Sequence, residues 1–162
     1  MTGYGFIQAE SGRCRLVAAG CLRVAEAGAL AARLRAIFTG LTALIAEYQP
    51  TECAVEEVFM AQNPASALKL GQARGAAICA AAHAGLAVFE YSTRTVKQAV
   101  VGRGSADKTQ VAFMVNTLLQ LTPPQDLALD ATDALAVALC HERQRQLTSV
   151  LAGAGFSRGR WR

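Results

Sequence analysis

Glu52-Cys53-Ala54-Val55-Glu56-Glu57 is a short apolar run caught between two helical stretches. Before it, Leu30, Leu34, Ile37, Leu41, Leu44, Ile45 and Tyr48 repeat at helical spacing, and Pro50 stops that helix. After it, Gln62-Asn63-Pro64 starts a second long helix from Ala65 to about Ala84, with proline in its first turn. A short apolar run so placed reads as a buried strand, and a second one follows at Leu86 to Glu90. Strand, helix and strand in this order make a βαβ unit, and with it a layered α/β architecture.

Working outward, Thr2 to Gln8 alternates, with Tyr4, Phe6 and Gln8 against Gly3, Gly5 and Ile7. Ser11-Gly12 breaks the pattern, and Cys14 to Val24 alternates again around Leu16, Ala18 and Leu22. This predicts a β-hairpin whose second strand Gly20 weakens. Helices are predicted at about Ser92 to Val101, Ala106 to Leu121 and Asp130 to Gln146, with a Pro123-Pro124 loop before the last. The order ββαβαβααα implies an α/β sheet with helices on both faces. We read residues 1–148 as one domain, and residues 149–162, rich in Gly, Ala, Ser and Arg, as a flexible basic C-terminal tail.

Bulk properties exclude several classes. The chain has 162 residues and is 52% hydrophobic, enough for a real core and against general disorder. No window reaches the ~18–20 uninterrupted apolar residues of a membrane span, and Met1-Thr2-Gly3-Tyr4-Gly5 lacks the pattern of a signal peptide. Five cysteines with no C-x-x-C argue against a disulfide framework or a zinc site, and fit a cytoplasmic protein. Cys53 and Cys79 read as small buried thiols. The net charge of +4 permits a polyanionic partner without demanding one.

Three carboxylates lie where carboxylates are costly. Glu56 closes the run Cys53-Ala54-Val55, and Asp130 and Asp133 open the run from Ala134 to Leu139. Ionised groups beside a core need partners, and a divalent cation would serve all three at once. Asp130 and Asp133, three apart at a helix start, share one face. On spacing alone the pair reads better as a helix cap. Glu57 alternates to the other face of the strand from Glu56. Val101-Gly102-Arg103-Gly104-Ser105-Ala106-Asp107-Lys108 is a glycine-bearing basic loop entering a helix, with Ser105 as candidate N-cap. Free backbone N–H groups, the helix dipole and Lys108 there suit a phosphate, although the Walker pattern is missing. Phe59, at the exit of the Glu56 strand, is either core or a surface on which a base stacks. His83 and His141 are isolated and each reads as structural or exposed rather than as a ligand, with His141 the better ligand candidate because it lies beyond the two aspartates. Gly71 and Gly75, four apart, would let another backbone approach.

Taken together, Val55-Glu56-Glu57-Val58-Phe59-Met60-Ala61-Gln62-Asn63, Ser66-Ala67-Leu68-Lys69-Leu70-Gly71-Gln72-Ala73-Arg74-Gly75, Val96-Lys97-Gln98-Ala99-Val100-Val101-Gly102, Ala106-Asp107-Lys108 and Asp130-Ala131-Thr132-Asp133-Ala134-Leu135-Ala136 closely resemble the RuvC family of crossover-junction endodeoxyribonucleases. The resemblance covers nearly the whole chain, and K-L-G-Q-A-R-G is its most discriminating part. It implies an RNase H-like fold, a symmetric homodimer, four-way junction DNA as substrate and the branch-migration helicase complex as a partner. It implies two Mg²⁺ per intact site, replaceable by Mn²⁺, with Glu56, Asp130 and Asp133 among the ligands. Lys97 and Lys108 match the basic residues at the scissile phosphate, and Phe59 the aromatic that stacks on a base. Lys69, Arg74 and Arg103 are further DNA-binding candidates.

The resemblance also implies a first ligand that this sequence lacks. It is an aspartate on the first, central strand, in a segment like G-I-D-P-G-S just before T-G-Y-G. Here Met1 directly precedes Thr2-Gly3-Tyr4-Gly5. The central strand is therefore expected to be missing from an RNase H-like mixed sheet flanked by helices, and the natural product is expected to be longer. The Thr2 strand and the Cys53–Glu57 strand would then face each other with unpaired backbone groups, at a cost of about 1–3 kcal/mol for each one buried.

Overall fold

The structure is a computed structural model and describes residues 1–57, 64–122 and 127–153. Its elements are β1 (Thr2–Glu10), β2 (Arg13–Leu22), α1 (Leu30–Tyr48), β3 (Glu52–Glu56), α2 (Pro64–His83), β4 (Ala87–Tyr91), α3 (Thr93–Val101), α4 (Lys108–Leu118) and α5 (Leu129–Gly153), with a 3-10 turn at Ala25–Ala27. The order is the one the sequence predicts.

β1 and β2 pair antiparallel from Thr2↔Leu22 to Glu10↔Arg13, with an irregularity between Phe6 and Ile7. The turn holds positive φ at Ser11 (50°) and Gly12 (79°), as a tight hairpin requires. Gly20 does not break β2. It pairs with Tyr4, whose hydroxyl would lie 2.7 Å from a Cβ at position 20, so the ring covers the glycine. β3 and β4 pair parallel from Glu52↔Ala87 to Glu56↔Tyr91, joined by α2 as the βαβ reading requires.

The sheet is in two halves. β1–β2 and β3–β4 are separate two-stranded sheets, and among the described residues β1 and β3 share no ladder. This agrees with the expectation that the sheet lacks its central strand. What joins the halves is α5. It packs on all four strands and on α3 and α4. The buried core comes mainly from these helices: Val96, Ala99 and Val100 of α3, Val111 and Val115 of α4, and Leu135 to Val137, Leu139 and Cys140 of α5. Ile7, Leu16, Ala54 and Tyr91 pack against it from both half-sheets. The Arg143 guanidinium (Nη1) donates to the carbonyl of Ala99 at 2.7 Å, tying α5 to α3.

Three expectations need correction. α5 extends to Gly153, so the first residues assigned to the tail are helical; residues 154–162 lie outside the described part. Cys53 is half-buried and Cys79 exposed, whereas Cys140 is the buried thiol. Burial pushes the Cys53 and Cys140 thiols up, the latter to about 11. The N-cap of α4 is Asp107 rather than Ser105: its carboxylate accepts from the Gln110 N–H, and the Gln110 side chain closes a capping box. Ser105 lies two residues before that cap.

Candidate functional site

Glu56 is the last residue of β3 and is exposed. Its side chain and its backbone are each held. The Thr93 hydroxyl donates to Glu56 Oε1 at 2.5 Å, from the first residue of α3. Arg74 Nε, on α2, donates to the Glu56 carbonyl at 3.0 Å, and the same guanidinium is ion-paired with Glu90 on β4. The Glu57 N–H bonds the Tyr91 carbonyl at 2.8 Å and extends the parallel pairing one step further.

Asp130 and Asp133 stand in the first turns of α5, both half-buried. The helix begins at Leu129, and the Thr132 N–H reaches the Ala128 carbonyl at 2.9 Å. Both aspartates are therefore inside the helix, and the capping alternative fails. β1 lies directly on this helix start. A Cβ at Gly3 would overlap the Asp130 carbonyl oxygen, and one at Gly5 would meet the Leu135 side chain. The glycine face of Thr2-Gly3-Tyr4-Gly5 is thus what lets β1 approach the aspartates. The alternation and the helix were both readable in the sequence; their contact was not.

The three carboxylates suit a hard dication by their donor chemistry. None has an ion-pair partner among the described residues, although the chain carries a net charge of +4. They do not form one cluster: among the described residues no group of three or more His, Cys, Asp or Glu side chains is placed to hold a metal. The expectation that a single cation satisfies all three at once is corrected. What fits is the aspartate pair and Glu56 as separate oxygen donors. Such partial sets suit Mg²⁺, which commonly keeps several waters and uses one or two carboxylates plus substrate phosphates.

The basic candidates stand on three helices and one loop. Lys97 is half-buried on α3, Lys108 opens α4, Arg103 is exposed on the loop between them, and Lys69 is exposed on α2. None of these four is ion-paired among the described residues. Arg74 differs, being engaged with Glu90 and the Glu56 carbonyl. Phe59 lies outside the described residues.

His141 does not meet the aspartates. Its Nε2 is 3.1 Å from Glu52 Oε2 and its Nδ1 is 2.8 Å from the Tyr91 hydroxyl. An ionised carboxylate only accepts, so Nε2 donates to Glu52, and in the neutral ring Nδ1 accepts from Tyr91. Phe89 stacks on the ring at 4.5 Å, and Arg145 Nη1 reaches Glu52 at 3.1 Å. This cluster is anchored on Glu52, at the opposite end of β3, and runs along β4 to Tyr91, the register partner of Glu56. Sequence reasoning missed it because its members lie far apart in the chain. Thr93 was missed too, since one hydroxyl at a helix start carries no signal of its own.

The two parallel strands joined by a helix, the antiparallel hairpin and the long helix packed on all four strands are an α/β architecture of the RNase H-like type. The family model for the crossover junction endodeoxyribonuclease RuvC matches residues 1–141, and the chain belongs to that family. The RuvC of Marinobacter nauticus is 56% identical over 156 residues, covering 96% of this chain and 87% of that one. That of Saccharophagus degradans is 53% identical over 161 residues, covering 98% and 91%. Among solved structures, Thermus thermophilus RuvC superposes with a TM-score of 0.80 at 31% identity, covering 90% and 89%. The same protein in complex with a Holliday junction substrate superposes with 0.83 at 30% identity, covering 91% and 89%.

Proposed function

We propose that the chain resolves Holliday junctions by nicking two like-oriented strands symmetrically, leaving 5′-phosphate and 3′-hydroxyl ends. The observation that carries this reading is the placing of Glu56, Asp130 and Asp133 as unpaired carboxylates on a fold shared with a junction-bound relative. The substrate is four-way DNA, the setting recombination and repair.

Glu56, Asp130 and Asp133 would hold Mg²⁺, with Mn²⁺ able to substitute. When bound, the metal supplies an activated water and stabilises the leaving 3′ oxygen. The remaining work falls to the chain itself. Lys108, at the positive end of α4, draws the scissile phosphate and offsets charge that develops on it. Lys97 holds the same phosphate region from α3, and Lys69 and Arg103 extend the track along the backbone. Phe59 supplies a stacking surface for a base opened at the junction centre.

The enzyme acts as a homodimer. The surface that supports this is α2, where Leu68 is 65% exposed, Leu70 is 53% exposed, and nothing lies within 4 Å of a Cβ built at Gly71 or Gly75. The branch-migration helicase complex is its proposed partner, and the cytoplasm its place of action. Among the described residues no helix is long and apolar enough to cross a membrane.

A second reading is a junction-binding form that cuts poorly, and one observation favours it. β1 and β3 both lie on α5 yet share no ladder, which supports a slot for one more strand between them. In the family that position carries the first catalytic aspartate. Cleavage of a labelled four-way junction in Mg²⁺, against Asp133→Asn, separates the readings. Paired symmetric nicks lost in the variant support the resolvase. Tight junction binding with no nicks supports the second form.

A further inference from the structure

Glu56 is anchored by two helices that do different things to it. Arg74, from α2, grips its carbonyl at 3.0 Å and is itself fixed by Glu90. That contact sets the strand end and leaves the carboxylate free to turn. Among the described residues only Thr93 hydrogen-bonds the carboxylate, donating from Oγ1 to Oε1 at 2.5 Å. Thr93 is itself well placed: Ser92, the N-cap of α3, accepts from the Thr95 N–H at 3.2 Å and fixes the first turn on which Thr93 stands. No described residue bonds Oε2. A carboxylate held by one oxygen presents the other in a defined direction, as hydrogen-bond partners of metal-binding carboxylates commonly do.

We propose that Thr93 is a positioning residue for Glu56, its hydroxyl holding Oε1 so that Oε2 is presented to a divalent cation. The proposal rests on the reading of Glu56 as a ligand and names a residue that the carboxylates alone do not. Removal of the hydroxyl costs the carboxylate its fixed orientation but not its charge. Thr93 is exposed, so an isosteric valine leaves the core untouched.

The test measures Mn²⁺ affinity by electron paramagnetic resonance on the full chain, with Thr93→Val, Thr93→Ser and Glu56→Gln alongside. Thr93→Val is expected to bind Mn²⁺ about tenfold more weakly, with an unchanged melting curve and unchanged junction affinity. Thr93→Ser, which keeps the donor, is expected to stay within about twofold of the parent. Thr93→Ala removes the same donor should valine disturb the start of α3. Parent-like affinity in both Thr93→Val and Thr93→Ala overturns the proposal. So does equal weakening in Thr93→Ser, which would assign the effect to the methyl group. If Glu56→Gln binds Mn²⁺ as the parent does, the ligand reading itself fails and the proposal falls with it.

Discussion

The two ends of β3 carry the same residue and use it in opposite ways. Glu52 opens the strand and has two donors from α5, His141 and Arg145, both on Oε2, with Tyr91 and Phe89 closing over the imidazole. Glu56 closes the strand and has one hydroxyl on one oxygen. Both are glutamates on the same short strand, and propensity does not separate them. Their surroundings do. A carboxylate paired with basic side chains of another element holds elements together, here β3 against α5. One with no ion-pair partner among the described residues, at a strand end, can take a ligand.

The largest effect that could break this contrast is at Glu56. Glu56→Gln keeps the shape and removes the charge. Single-turnover cleavage of a four-way junction is expected to fall by about 100-fold or more, with junction affinity and melting temperature unchanged. If the variant instead unfolds, Glu56 is a structural residue like Glu52.

The converse substitution comes next. Glu52→Ala leaves the His141 Nε2 donor and Arg145 without their acceptor. A stability loss of about 1–3 kcal/mol is expected in urea unfolding, with cleavage per folded molecule little changed. Loss of cleavage at full stability would erase the distinction between the two ends.

A smaller effect lies on the same helix. Burial raises the Cys140 thiol to about 11 from its ordinary 9.0, and pushes the neighbouring Tyr91 hydroxyl up as well. A group whose folded pKa is raised contributes stability that is complete below the unfolded value and is lost as pH rises through the folded one. Stability is therefore expected to decline between about pH 9 and 11, and less steeply in Cys140→Ala. A decline of equal slope in both would remove Cys140 from the account.

The sequence showed one end of β3 far better than the other. Element order, the βαβ unit around residues 52–57, and Glu56, Asp130 and Asp133 as candidates were all readable, because periodicity and motifs are local. The split sheet was an expectation of the family resemblance, not of periodicity. What could not be read depended on distant side chains meeting. His141 read as structural or exposed rather than as a ligand, and it is structural, but its partners could not be named because they come from two strands, 89 and 50 residues away. The capping reading of Asp130 and Asp133 failed because a helix start shifted by one or two residues changes which residue is the cap. Arg74 read as a DNA-binding candidate, and its pairing with Glu90 and the Glu56 carbonyl depends on α2 lying beside β4. The three carboxylates were expected to converge on one ion, and spacing gives no distance between a strand end and a helix start.

The central claim is that this end of the fold recognises a four-way junction by its structure. A labelled junction bound to the chain in Ca²⁺, challenged with increasing unlabelled linear duplex of the same sequence, tests that most directly. The junction is expected to stay bound at about 100-fold or greater excess of duplex, as structure-specific recognition beyond the shared phosphate attraction requires. Displacement at equal concentrations would contradict it, and would leave a basic RNase H-like protein with no preference for junctions.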